Sequence, residues 1–192
     1  MNLVNQLKDN FTKRKMRQLD NRKTPQREFV DLDKAKNIGM IVNVNQCYTE
    51  DIKHLNKYIS KLKRDKKRVY LIEINYLKKS TPELTNSGDG IFINPSKMNW
   101  VEYPVPAVEE KINQLSLDIL MNFDSSEKMT AKYVLSFANA KTRTGPHVEG
   151  FEYCYELMVH LPETANGNRL QAMINQFDYF LKMMLYLSFK FF

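Results

Sequence analysis

The stretch that most constrains this chain is residues 115–146, LSLDILMNFDSSEKMTAKYVLSFANAKTRTGP. Leu117, Ile119, Leu120, Met121 and Phe123 form the short apolar run of a strand covered on both faces. Asp124-Ser125-Ser126-Glu127 follows, a pattern that predicts a helix start. Asp124 is the expected cap, and Glu127, three residues on, the residue that reaches back to complete a capping box. Met129, Tyr133, Val134 and Phe137 then repeat at helical spacing, and Thr142–Thr144 leads as a second short strand into a Gly-Pro break. Strand, helix and strand in this order predict a parallel sheet with helices on its faces. Nothing in the unit names a reaction.

The same alternation runs through the rest of the chain. Asn37–Val44 (NIGMIVNV) reads as a strand, and Thr49 as the cap of a helix with Glu50 and Asp51 in its first turn, where acids favour the dipole. Ile52, Leu55, Ile59 and Leu62 are its apolar face, and residues 66–75 (KKRVYLIEIN) give the next strand. Residues 80–90 are a loop, Gly90–Asn94 a short strand, and Pro106 opens a helix to about Gln114. Tyr153–Leu161 predicts another strand and Arg169 to about Leu185 a closing helix, with Leu170, Met173, Ile174, Phe177, Leu181 and Met184 inward. The apolar end, residues 183–192, reads as that helix continuing into the core, or as a patch for a partner or membrane surface. The expected architecture is one three-layer, Rossmann-like α/β domain over residues 37–192. Its sheet is mainly parallel, with about five or six strands, and residues 1–36 precede it as a basic helical arm and linker.

The chain's positive charge is concentrated in the arm. Lys8, Lys13, Arg14, Lys15, Arg17, Arg22, Lys23 and Arg27 stand there against Asp9 and Asp20, and supply most of the chain's net charge of +7. Leu3, Leu7 and Phe11 put an apolar stripe on the same helix, so the arm either packs lightly on the domain or reaches an anionic surface: RNA, the ribosome or lipid headgroups. Only two cysteines occur, Cys47 and Cys154, without a CxxC spacing, which suits a reducing cytoplasm better than a disulfide scaffold. No apolar run approaches the ~20 residues of a membrane-spanning helix.

In an open parallel sheet, ligands sit beyond the carboxyl ends of strands, near a switch in strand order. The candidate ligand loops are therefore Asn45 and Gln46 after the first strand, and Asp124, Ser125 and Ser126 after the central one; His147 lies in a further loop. The turn NVNQCYTED contains no glycine, and Glu50 and Asp51 repel a phosphate at the helix start. That argues against dinucleotide or P-loop binding. His54, His147 and His160 have no metal-ligand spacing, and no nucleophile motif is present. The expectation is a protein without metal or nucleotide cofactor and without catalysis.

Two resemblances follow from quoted segments. LKDNFTKRKMRQ, AKNIGMIVNV, INPSKMNWVEYP and LDILMNFDSSEKMTAKYVLSFANAKTRTGP together resemble a small α/β family common in Bacteroidota that has no assigned activity. That resemblance spans residues 7 to about 182 and implies architecture alone. Residues 118–145 are also similar to part of the N-terminal half of heptosyltransferase-type glycosyltransferases. The matching positions are Asp118, Ile119–Met121, Asn122 in place of a second acid, Ala140, Lys141, Arg143 and Gly145. This second likeness implies a related half-fold. The functional expectation is a non-catalytic cytoplasmic binding or adaptor protein whose arm meets an anionic partner. The alternative is a small enzyme or a sugar- or nucleotide-binding domain.

Overall fold

The computed structural model describes residues 14, 27–77, 90–161 and 169–188, with side chains of the last helix as far as Met183. Six strands form one sheet: β1 (Asn37–Asn43), β2 (Arg68–Ile74), β3 (Ile91–Ile93), β4 (Leu117–Asn122), β5 (Ala140–Pro146) and β6 (Leu157–Val159). Their order is β3-β2-β1-β4-β5-β6, and every pairing is parallel. Among the described residues four helices cover it: α1 (Thr49–Arg64), α2 (Pro106–Asn113), α3 (Thr130–Phe137) and α4 (Arg169–Ser188). The three-layer α/β architecture is as the sequence predicts. The strand order, reversing between β1 and β4, is the part that periodicity cannot supply.

The sheet separates two cores. Leu55, Tyr58, Ile59 and Leu62 of α1 and Met173, Ile174, Phe177 and Leu181 of α4 pack against one face, with the Phe123 and Phe177 rings 5.2 Å apart. On the other face lie Val108 and Ile112 of α2 with Ala131, Tyr133, Val134 and Leu135 of α3. β4 sits between them, and its Ile119, Leu120 and Met121 are fully buried. That accounts for a strand apolar on both faces.

Three local expectations are corrected. The stretch 124–127 does not cap α3, which starts only at Thr130. Glu102 does so from the loop before α2: its carboxylate accepts the Met129 N–H at 2.9 Å, and its carbonyl accepts the Thr130 hydroxyl at 2.9 Å. Thr49 is the first residue of α1 rather than its cap; Tyr48 is the cap residue, and its N–H donates to Asp51 at 3.0 Å. Of residues 153–161, only Leu157–Val159 pair as strand, because residues 152–154 coil into a 3-10 turn.

The segment read as a linker also contributes to the core. Val30, Leu32 and Ala35 are buried. Thr142 ties this entry down, its hydroxyl accepting from Val30 N–H and donating to Glu28 O, each at 2.7 Å. At the far end Asp118 receives Lys36 N–H at 2.8 Å and Asn37 N–H at 3.0 Å, fixing where β1 begins. The AK-x-R-x-G signature is strand β5 itself. Ala140 and Arg143 are buried there, and Gly145 lies so close under Tyr155 that a Cβ would stand 2.3 Å from the ring.

Candidate functional site

The switch between β1 and β4 opens a crevice at their carboxyl ends, where this fold class places ligands. What fills it is asparagine. β1, β2, β3 and β4 each run into an Asn: Asn43, Asn75, Asn94 and Asn122. Each carboxamide oxygen accepts the backbone N–H two residues on, from Asn45, Leu77, Ser96 and Asp124, at 2.9–3.2 Å. Asp124 repeats the motif on Ser126 N–H at 2.9 Å. These Asx turns end the strands without glycine. They also use up backbone N–H groups that a phosphate would otherwise take.

The side chains then bind one another. Asn43 donates to Asp124 Oδ1 at 3.1 Å and the Tyr76 hydroxyl donates to Asp124 Oδ2 at 3.1 Å. Asn45 donates to Asn75 at 2.9 Å and accepts Tyr76 N–H at 2.7 Å; Asn122 donates to the Tyr155 hydroxyl at 2.9 Å. Buried networks of this kind hold a unique geometry when every member is satisfied. Burial, reinforced by the neighbouring Asp124, raises the Tyr76 phenol far above its ordinary range, so it stays a donor. Burial first, then Asp51, Asp124 and Glu73, push the Cys47 thiol up to about 12, which leaves it protonated and weakly nucleophilic. Lys132 is buried on α3, donates to Ser126 O and Lys128 O at 3.1 and 2.9 Å, and has its pKa lowered by that burial against the pull of Asp124.

Beside the network is a cavity of about 270 Å³, lined by Asn45, Gln46, Cys47, Asp51, Ser125 and Arg169 among others. The structure thus brings Asn45, Gln46 and Ser125 to one cavity, while Asp124 is spent inside the network and Ser126 on its turn. His147 is not part of this group: it stacks on His160 at 4.4 Å, beyond β5, with Glu152 3.8 Å away. Sequence reasoning, which placed a candidate loop at Asn43–Cys47, missed Asn75, Tyr76, Asn122 and Tyr155. The available signal was the asparagine closing each of the strong strands. Among the described residues no cluster of His, Cys, Asp or Glu has the makings of a metal site, and no helix is long and apolar enough to cross a membrane.

Residues 8–184 match the model of a family of unknown function, DUF6913. The chain belongs to that family. No curated protein and no solved structure matches it. The family match takes in both the arm and the closing helix, so both fall inside the unit that the family defines.

Of the arm residues, Lys8, Lys13, Lys15, Arg17, Arg22 and Lys23 lie outside the described residues, and Arg14 is helical and exposed. Arg27 is engaged within the domain, with Nε 3.3 Å from Glu156 and a guanidinium N–H donated to Tyr153 O at 2.8 Å. A second basic surface, which the sequence pattern does not single out, lies where α1 ends and β2 begins. Lys63, Arg64, Lys66 and Arg68 are exposed there, with Asp65 the acid among them. α1 carries Lys61, Lys63 and Arg64 in its last turn, where they complement the helix dipole.

Proposed function

We propose that this protein is a non-catalytic cytoplasmic binding or adaptor protein that meets a phosphate-rich partner, RNA or the ribosome, through basic surface at its arm and at the end of α1. The observation that carries the reading is the contrast between two places. At the crevice the strand-end N–H groups are occupied by asparagine, and Asp51, Asp124 and Glu73 make the surroundings acidic. At the end of α1, Lys63, Arg64, Lys66 and Arg68 stand in solvent. A polyanion is attracted to the second place and repelled from the first.

A second reading, a small enzyme or a sugar- or nucleotide-binding domain, draws on the displaced pKa values of Tyr76 and Lys132 and on the likeness of residues 118–145 to a glycosyltransferase half-fold. Groups so perturbed in a cleft are candidates for chemistry. Here their hydrogen bonds end on Asp124 and on backbone carbonyls, which favours a structural role.

Purification from native lysate at low and high salt, with and without nuclease, tests the proposal. Nucleic acid should copurify at low salt and disappear with either high salt or nuclease. A partner that survives both treatments would contradict the phosphate reading.

A further inference from the structure

α1 and α4 pack side by side on one face of the sheet and leave a groove of about 660 Å³ between them. Lys57, Lys61 and Arg64 line one wall at i, i+4 and i+7, so they form a single stripe about 10 Å long on α1. Tyr179, Lys182 and Met183 of α4 form the other. The one carboxylate among the described lining residues, Asp178, is held from both sides: Lys61 Nζ lies 2.9 Å from each of its oxygens and Lys182 Nζ 3.1 Å from Oδ2. Lys57 and Arg64 are exposed and have no ion pair among the described residues. The groove therefore keeps a positive excess with its two freest cations on one wall.

The floor is not polar. Tyr58 and Ile174 are buried beneath it, and Tyr179 stands 58% exposed on the rim. The Tyr58 hydroxyl has no hydrogen-bond partner among the described residues. A cationic stripe facing an exposed aromatic ring across an apolar floor is the arrangement that holds a single strand, with phosphates on the cations and a base on the ring. From Arg64 the positive surface continues to Lys63, Lys66 and Arg68, giving the backbone a path out of the groove.

We infer that the α1–α4 groove is a binding site for single-stranded nucleic acid, with Lys57 and Arg64 on phosphates and Tyr179 stacked on a base. The inference rests on the phosphate-rich partner proposed above and assigns it a place. Sequence specificity is no part of it, since stacking and phosphate contacts accept any base.

The test is fluorescence anisotropy of the full chain with a labelled 20-mer oligouridylate across a salt series, alongside vesicles containing about one-third anionic lipid. Lys57→Gln with Arg64→Gln should lower the slope of log K against log salt by about 1.4, two phosphate contacts at about 0.7 each. Tyr179→Ala should weaken binding roughly 5- to 150-fold, the loss of one stacked base. Asp178→Asn should tighten it, because the groove's carboxylate is gone. Melting curves identify any variant whose loss is one of folding, and the Lys57/Arg64 pair, exposed and without an ion pair among the described residues, should melt as the unaltered chain does. If the chain binds oligouridylate but all these variants bind it equally well, the groove assignment is wrong and the arm alone carries the partner. If the chain ignores oligouridylate, the groove is no nucleic-acid site. Vesicle binding that still depends on Lys57 and Arg64 would then leave the anionic-partner reading standing with lipid as the partner.

Discussion

At the scale of the residue, polar side chains settle where this chain starts and stops its strands. Asp118 is the clearest case. It marks the entry to β1 by accepting two backbone N–H groups, with Lys141 Nζ 3.4 Å away. Burial pushes its carboxyl up, but the Asn37 and Lys36 N–H bonds and the Lys141 ammonium together outweigh burial and hold it below its ordinary value. The sign of the linkage follows. A depressed folded pKa contributes stability above the unfolded pKa, near 3.8, and that stability is lost as pH falls through the folded value. Asp118→Ala should therefore cost roughly 1.5–3 kcal/mol at pH 7, the range for hydrogen bonds to a charged group. The cost should shrink in urea melts near pH 2. An equal loss at both pH values would mean that the ionised carboxylate is not what holds β1 in place.

At the scale of the element, apolar periodicity made β1, β2, β4 and the helices legible, because burial on one or two faces leaves a period in the chain. What it could not show is long-range capping. Glu102 closes the start of α3 from 27 residues upstream, and the nearer Asp124 belongs instead to the crevice network. Likewise Val30, Leu32 and Ala35 are too few and too irregular to announce an element, and they read as linker until Thr142 and the α1–α4 core stand beside them. The strand-end asparagines were visible but not interpretable, since an Asx turn and a ligand contact call for the same residue. α1 ends on a further irregularity. Lys66 takes a φ of 60°, while Lys67 N–H closes back on Leu62 O at 3.0 Å. This is the helix-ending geometry that glycine adopts without penalty. Lys66→Gly should raise stability by about 0.5–1 kcal/mol in chemical denaturation, and a decrease there would mean that the lysine side chain makes an interaction worth more than the backbone strain.

At the scale of the molecule, the proposed binding surface lies apart from the crevice at the strand ends. The crevice where this fold class places ligands is knitted together by Asn43, Asn122, Asp124 and Tyr76, whereas basic residues gather on α1 and in the arm. The core, in turn, is complete from Val30 onward among the described residues. Separability of the two is the central claim, and one shortened chain addresses it. Removing residues 1–26 keeps Arg27 on Glu156 and leaves Val30, Leu32 and Ala35 in place. The measurement pairs the melting curve of that chain with its salt slope on oligouridylate. A cooperative melt close to that of the whole chain is expected, with a slope reduced by about 0.7 for each phosphate that the arm no longer neutralises. A collapsed melt with an unchanged slope would contradict separability, showing residues 1–26 to be part of the fold and the binding surface to lie wholly elsewhere.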